Sequence, residues 1–445
     1  MNQLSTTTGS TDSACYIDEH VPVLQQGPQW LQKQRRIFRE AFNNLPLPRR
    51  GLHFWRYSDP GKFLISGDML SKKTPSTEPA AIERAALAGL EPANLCGVVT
   101  DTGGREIKLH GLAEEMPPGM IVSSLSDAVD RHSDLVESYL YRLVNGQTAK
   151  FEALNSALFN DGILIYVPDG VTVEKPLHLL RLAGQAGSVH FPRLLVVVGR
   201  NAELTLVDEY DGGSPDITDG ISHVNSAVEI FGLEQSRIRY VSLQRHLSGN
   251  VTYMTCRARV ERGADILTVP LVFGSSLAKQ NFDVILDGET AQSDIFGLLF
   301  GSGHQHLDNH TRQHHAAART NSHIDFKVVL RDRAVSAYTG LIRIDQTSPS
   351  CEAYQENRNL MLNDGTRVET IPELEILNED VQCSHGATTG SIDEMMRFYL
   401  NSRGIPPTEA MRMIVSGFVE TTLQRIPEDL QARIRGYVAE RLENL

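Results

Sequence analysis

Cysteine is scarce in this sequence. Five cysteines among 445 residues lie at positions 15, 96, 256, 351 and 383, and no two of them form a CxxC pair. A closed zinc or iron-sulfur site needs about four ligands, so we expect no complete metal centre built from cysteine alone. The wide spacing also argues against a disulfide framework and favours a reducing compartment.

Positive charge and long apolar runs are in short supply as well. The chain has 42 basic and 55 acidic residues, which gives a formal net charge of -13. This balance argues against non-specific binding to nucleic acid or to an anionic membrane. No run approaches the roughly 18 apolar residues of a membrane span, and the first residues lack the cationic and then apolar pattern of a secretory signal. We therefore expect a cytoplasmic protein with no nucleic-acid or membrane partner.

Common catalytic motifs are missing too. No GxxxxGK[ST] phosphate loop and no GxSxG nucleophile elbow occurs in the sequence, and Gly301-Ser302-Gly303 is better interpreted as a turn. Any ATP chemistry is therefore expected in a partner.

The middle of the chain consists of strand patterns, which follow one another from about Gly162 to Val381 without a long helix. Alternation is clean in places, and one apolar face comprises Ile324, Phe326, Val328 and Leu330. Short turns recur before the strands at Asn201, Gln235, Gly263 and Thr290, with spacings of 34, 28 and 27 residues.

This loose repeat of strands without helices favours a mainly β fold, a solenoid of stacked coils in which each coil buries its inner face against the next. A large β-sandwich is the alternative. Its hairpins need tight Asn-Gly or Asp-Gly turns every 8 to 12 residues, and only Asp169-Gly170 and Asp287-Gly288 qualify between strong strands.

Helical patterns flank the strands on both sides. They predict an N-terminal helical or mixed domain over residues 1–160, a strand core over 161–382 and a C-terminal helical domain over 383–445. One helix of the C-terminal domain carries a broad apolar stripe of Met411, Ile414, Val415, Phe418 and Val419. A stripe of this kind either covers the protein's own core or binds a partner.

The segment VQCSHGATTG places Cys383 and His385 two residues apart at the end of the strand region. Side chains alternate in an extended segment, so these two would point the same way and could share one ion or one proton. Two ligands make half a site. The remaining ligands must come from elsewhere in the fold or from another chain.

Six histidines crowd one further stretch, at positions 304, 306, 310, 314, 315 and 323. Imidazole is a common metal ligand, and His306, His310 and His314 share one face of a strand. No acidic or cysteine partner completes a recognised spacing. Titrating side chains along a strand are therefore the plainer interpretation, with a metal cluster as the alternative.

Long stretches of the sequence resemble a known family. The segments HIDFKVVLRDRAVSAYTGLIRID, EAYQENRNLML, ETIPELEILNEDVQCSHGATTGSIDEMMRFYLNSRGI and IVSGFVE are similar to the SufB/SufD family of iron-sulfur cluster assembly scaffolds. The form CSHGATTG resembles SufD more than SufB, in which the matching stretch reads like VEHEATTS.

The resemblance implies a right-handed parallel β-helix flanked by N-terminal and C-terminal helical domains. It also implies a non-enzymatic scaffold that pairs with a SufB-like subunit and binds a SufC-like ABC ATPase through its C-terminal helices. The cofactor would be a transient iron-sulfur cluster shared with the partner subunit and not held by the isolated chain. The isolated chain could also form a homodimer.

The resemblance assigns roles to single residues. Asn357 lies near the position of the cysteine that nucleates the cluster in SufB, so this chain is not expected to nucleate a cluster alone. By position, His385 is the histidine that completes a nascent site at the SufB interface, with the Cys383 thiol beside it. A polysaccharide-active β-helix enzyme and an architectural spacer without any ligand are the alternatives.

Overall fold

The computed structural model of the protein describes residues 27–65, 69–70, 87, 90–102, 107–110, 116–182, 187–211, 221–246 and 249–443. Position 15, the first cysteine, lies outside these ranges. The fold is mainly β, with 44% strand and 25% helix, and consists of a parallel β-solenoid of about 7 turns with helices at both ends. The predicted fold class is confirmed.

The α-helices of the described residues lie at the two ends of the chain. They are Gln29–Asn44 (α1), Leu125–Arg131 (α2), Ser133–Tyr139 (α3), Lys150–Leu158 (α4), Glu394–Ser402 (α5), Pro407–Leu423 (α6) and Glu428–Leu442 (α7).

The strands of the described residues begin before the predicted core. The early strands are Gly97–Asp101 (β1), Ile107–His110 (β2), Ile121–Ser124 (β3), Ile163–Val167 (β4), Leu177–Leu182 (β5), Val189–His190 (β6), Arg193–Val198 (β7), Glu203–Asp211 (β8), Ser222–Gly232 (β9) and Arg237–Arg245 (β10). The later strands are Asn250–Val260 (β11), Asp265–Val272 (β12), Leu277–Leu286 (β13), Gln292–Gly301 (β14), His306–His315 (β15), Asn321–Leu330 (β16), Val335–Ile344 (β17), Cys351–Met361 (β18), Arg367–Ile376 (β19) and Val381–Ser391 (β20).

Two sheets form the walls of the solenoid. Sheet A has the strand order β2-β1-β5-β8-β10-β12-β14-β16-β18-β20, and sheet B has the order β19-β17-β15-β13-β11-β9-β7-β4-β3. From β8 onward successive strands alternate between the sheets, so each coil adds one strand to each wall. Neighbours along this part of both sheets are parallel, for example β16 with β18 and β17 with β19. Parallel pairing excludes the antiparallel hairpins of the alternative β-sandwich.

The recurring turns found in the sequence are the corners of successive coils. Asn201, Gln235, Gly263 and Thr290 all have positive φ values, between 54° and 65°. The backbone N–H of each donates to a carbonyl of the corresponding turn in the next coil, as Gln235 does to Arg262. The left-handed conformation turns the chain sharply from one wall to the other, which explains the repeat.

Strand alternation fills the interior of the solenoid. The predicted apolar face of β16 is fully buried and lies in the central core: Ile324, Phe326, Val328 and Leu330. Burial of this face on every strand is the main source of the solenoid's stability, because each coil covers the apolar surface of the coil before it.

The solenoid extends beyond the predicted limits of 161 and 382 at both ends. Strand β1 pairs in parallel with β5, so sheet A includes Gly97–Asp101. At the other end β20 pairs with β18 over its whole length to Ser391. Cys383 and His385 therefore lie in the last strand of the solenoid, not at the start of a helical domain. Backbone pairing sets this boundary, and local composition does not reveal it.

The C-terminal helices α6 and α7 cover the outer face of sheet A. Their buried side chains, such as Val419 and Ile434, share one apolar cluster with Val241 and Phe300 of the sheet. Polar contacts fix the position of the helices: Arg433 of α7 donates to the buried carboxylate of Glu209 at 2.7 Å.

The N-terminal region covers the outer face of sheet B. Phe38 of α1 and Phe151 of α4 join Trp55 and Tyr253 in a second apolar cluster. The rings of Trp55 and Tyr253 stack with their centroids 5.9 Å apart. Helices or the N-terminal segment thus cover both walls over several coils, on sheet A as far as Leu360 of β18, whereas β19 and β20 of the last coil are largely accessible to solvent.

Candidate interface at the end of the solenoid

The end of the solenoid presents the two edge strands β19 and β20. Each is the last strand of its sheet, so in the described part of the chain one side of its backbone has no neighbouring strand. Long exposed edges of this kind are templates for pairing with another chain, and proteins protect them with charge or proline. Strand β19 carries four charged residues and Pro372, whereas β20, VQCSHGATTGS, contains neither a Lys, Arg, Asp or Glu residue nor a proline.

Cys383 and His385 lie on β20 in the pairing register of Ala353 and Gln355. Ala353 and Gln355 are buried side chains of β18, so Cys383 and His385 share the face that continues the solenoid interior. The predicted same-face arrangement is therefore present. His385 is exposed, and Cys383 is half-buried against the small apolar cluster of Ile342 and Ala353.

Ionisation of the Cys383 thiol is disfavoured in this structure. Burial raises its pKa, and the nearby Cys351 adds to the rise. Cys351 itself is fully buried and contacts Thr320 Oγ1 at 3.1 Å. A metal ion binding at Cys383 would have to displace the thiol proton.

Two buried amides lie behind the exposed histidine. Gln355, the register neighbour of His385, donates through Nε2 to the Gly340 carbonyl at 3.1 Å. Its Oε1 is buried without a hydrogen-bond partner within the described ranges, so it can accept a hydrogen bond from an imidazole N–H. Asn357 is fully buried and donates to the Phe326 carbonyl at 2.8 Å, so it serves the interior and not a metal site.

The end coil supplies two side chains that can bind a metal ion. Among the described residues there is no group of three or more His, Cys, Asp or Glu side chains placed to hold an ion. The arrangement can contribute one imidazole and, after deprotonation, one thiolate to a site that another molecule completes.

The six clustered histidines separate into different environments. His306, His310 and His314 do share the outer face of β15, but His315 points into the interior, where its ring contacts Thr320 and Ser322. His323 lies on the other wall against Phe296. His310 contacts Asp308 at 2.9 Å and His314 contacts Asp345 at 2.8 Å. Burial lowers the pKa of both His310 and His315, so the plainer interpretation, titrating side chains along an exposed strand, does not describe these two.

The predicted C-terminal stripe faces the protein's own sheet. Val415 and Val419 are buried in the cluster between α6 and sheet A, and Met411, Ile414 and Phe418 are partly buried beside them. Lys327 of β16 donates to the Phe418 carbonyl at 2.8 Å. Val415 and Val419 are therefore inaccessible to a partner in this structure, because the stripe matches the apolar outer face of the sheet.

An exposed apolar surface lies instead on α5, and the sequence analysis did not identify it. Met395, Met396, Phe398 and Tyr399 are all at least half exposed, with Met395 at 74% and Phe398 at 69%. The sequence contains a signal for this surface, because five of the nine positions of this short helix are apolar or aromatic and cannot all face one core. Asp393 caps the helix by accepting from the N–H groups of Met395 and Met396.

A membrane-spanning helix is not found in the described ranges: each helix there is too short or too polar.

These features define a class of protein, a parallel β-solenoid with covered sheet faces and two largely uncovered end strands. The chain belongs to the SufBD family: residues 180–418 match the SufBD core domain of SUF-system FeS cluster assembly, and residues 13–179 match the SufBD N-terminal region. It is a SufBD-family iron-sulfur cluster assembly protein.

Curated relatives agree with this assignment. The chain is 26% identical over 417 residues to the iron-sulfur cluster assembly protein SufB of Bacillus subtilis. The aligned residues make up 92% of this chain and 89% of that protein. It is 25% identical to an iron-sulfur cluster assembly SufBD family protein of Staphylococcus epidermidis and 24% identical to one of Staphylococcus saprophyticus, with the same coverage.

Proposed function

We propose that the protein is a SufD-like, non-enzymatic scaffold subunit that pairs through β20 with a SufB-like subunit and contributes ligands to a nascent iron-sulfur cluster. The observation that carries this proposal is the unprotected edge of β20, which has the two candidate ligands near its middle. The cluster is cargo assembled between the chains, and the isolated chain holds none.

Backbone geometry supports a role for His385 in the shared site. An antiparallel partner strand centred on Gly386, the midpoint of β20, would put its side chains within about 5.5 Å of those of β20 on the same face. His385 would then lie next to the centre of the interface. Cys383 lies two residues further out and becomes a ligand only when a metal ion replaces its proton. Without a SufB-like chain, β20 can pair with a second copy of itself, which gives a homodimer.

Gln355 supports His385 in this proposal. A hydrogen bond from one imidazole nitrogen to Gln355 Oε1 would leave the other nitrogen free to bind metal at the interface. The buried side of Gln355 is already held by Gly340, so its carbonyl oxygen has a fixed position.

The C-terminal helices are the proposed dock for a SufC-like ABC ATPase. Since Val415 and Val419 serve the contact with sheet A, we assign the docking contact to the exposed side of this domain: Phe398 and the neighbouring apolar residues of α5, with Met411, Ile414 and Phe418 at its margin. Helices α6 and α7 are fixed to the solenoid, so movement of the ATPase subunits would pull on the solenoid through them.

Reconstitution tests the shared site. The chain is purified alone and with SufB-like and SufC-like proteins, and iron and sulfide are measured on each species. We expect both elements only on the complex and a large loss with His385→Ala. Ser384→Ala, its neighbour on β20 that points to the other face, is the matched control and should keep full loading.

Two results would count against the proposal. Equal iron and sulfide in the His385→Ala complex would favour an architectural spacer. Polysaccharide turnover by the isolated chain, without any association with an ATPase, would favour a β-helix enzyme.

A further inference from the structure

A cavity of about 690 Å³ lies between the N-terminal segment and the outer face of sheet B, and neither Cys383 nor His385 lines it. Residues 45–55 form one side and the beginning of α4 another. Its size falls within the range of small-molecule sites in proteins, about 300–1,000 Å³. The proposed scaffold function does not use this cavity.

The floor of the cavity is a row of side chains that crosses the sheet at one register. From β11 to β19 it runs through Arg257, Asp283, Arg312, Leu341 and Glu373. Charges alternate along the row until Leu341 interrupts them. Arg312 therefore has an acidic neighbour on one side only.

Hydrogen bonding along the row leaves Arg312 incompletely satisfied. Arg257 is saturated by Glu152, at 2.7 and 3.0 Å, by Asp283 at 3.0 Å and by the Leu143 carbonyl. Arg312 makes a single contact with Asp283, at 3.1 Å. Its Nε is buried and has no hydrogen-bond partner within the described residues. The Arg312 side chain is nevertheless 39% exposed and lines the cavity, so its remaining N–H groups can donate to an anionic acceptor there.

Two further features favour an anion. The lining has four permanent cations and three carboxylates in a chain whose formal net charge is -13. Helix α4 begins at the cavity wall, and its N-cap residue, Ala149, provides no side-chain cap. The first turn of α4 therefore lies at the cavity wall with its N–H groups uncapped by Ala149, and Glu152 of the same turn offsets part of the helix dipole.

The rest of the wall is apolar and aromatic. Leu52 and Phe54 from the N-terminal segment line the cavity and are exposed, and Leu341 of β17 is partly exposed, whereas the lining residues Trp55 and Tyr253 are buried. A ligand that satisfied Arg312 alone would leave these surfaces in contact with water. A ligand with an apolar body would bury them.

We propose that this cavity is a binding site for a small amphipathic organic anion, with an aromatic or aliphatic body against Phe54 and Leu341 and an acidic head group at Arg312. Occupancy would fasten the N-terminal segment to β15 and β17, because the ligand contacts both sides.

A matched pair of fluorescent probes tests the proposal with the full chain. The first is 1-anilinonaphthalene-8-sulfonate, and the second is N-phenyl-1-naphthylamine, the same ring system without the sulfonate. We expect saturable 1:1 binding of the anion and weaker binding of the neutral probe. Arg312→Gln should weaken anion binding about tenfold, the effect of losing one charged hydrogen bond, and should leave the neutral probe nearly unchanged.

Leu341→Trp places a bulky ring on the cavity floor beside Arg312, where the apolar body and the head group would lie, and should remove binding of both probes. Arg343→Gln, two residues further along β17 and outside the lining, is the matched control and should bind like the unmodified chain. Thermal melts confirm that each variant is folded. Unchanged anion binding in folded Arg312→Gln, or retained binding of either probe in folded Leu341→Trp, would overturn the proposal, as would equal affinity for the two probes.

Discussion

Replacing the carboxylate that anchors α7 should cost the protein stability in a pH-dependent way. Glu209 of β8 is fully buried; it accepts from His178 Nε2 at 2.9 Å and from Arg433 at 2.7 Å. Burial alone would raise the pKa of Glu209, but the His178 hydrogen bond and the charges of Arg433 and Arg245 lower it to about 2. An exposed glutamate has a pKa of about 4.3.

The size of the effect follows from this difference in pKa. Roughly two units correspond to about 3 kcal/mol in the free energy of unfolding. Because the folded-state pKa is depressed, this contribution is complete well above pH 4.3 and is lost as the pH falls toward 2. Glu209→Gln should therefore destabilise the protein by about 3 kcal/mol at pH 7 and by only about 1 kcal/mol at pH 3.

Urea denaturation of both chains at several pH values between 7 and 3 measures this difference. Glu420→Gln, which removes a surface carboxylate that contacts Arg435, is the control and should change the acid dependence little. An equal loss of stability at pH 7 and pH 3 for Glu209→Gln would refute the reasoning. So would a Glu209→Gln protein as stable at pH 7 as the control.

Three other predictions concern the solenoid end and the C-terminal helices. Val419→Asp places a charge in the buried contact with sheet A and should lower the melting temperature. Phe398→Asp should leave the melting temperature unchanged and abolish ATPase binding, as measured by calorimetry. A lower melting temperature with retained ATPase binding for Phe398→Asp, and the opposite for Val419→Asp, would refute our assignment of the dock. Gly386→Lys puts a charge on the β20 edge and should prevent pairing with the SufB-like chain, as measured by light scattering, without changing the melt; normal pairing would exclude β20 as the interface. Because burial raises the pKa of Cys383, its alkylation at pH 7 should be slower than that of a free thiol and should accelerate as the pH rises past 9; fast reaction at pH 7 would contradict the half-buried thiol.

Local patterns in the sequence determined the architecture. Alternation with period two is a property of single strands, so the buried face of β16 was predictable without knowledge of its neighbours. Turn positions such as Gln235 and Thr290 recur once per coil because every coil needs the same corner, and this recurrence predicted a solenoid. The pair of Cys383 and His385 on one face follows from the same periodicity.

Contacts between distant parts of the chain were decided only by the tertiary structure. An amphipathic stripe predicts that Val415 and Val419 pack against an apolar surface. It does not distinguish the protein's own sheet from the surface of a partner. The histidines between 304 and 323 are neighbours in sequence, yet in the structure they lie on different walls of the solenoid and on both the inner and the outer face. The pairing register of five strands places Arg312 between Asp283 and Leu341. This alignment of side chains across the sheet forms the cavity floor. Side-chain periodicity fixes the face of a residue, whereas its neighbours depend on how the coils stack.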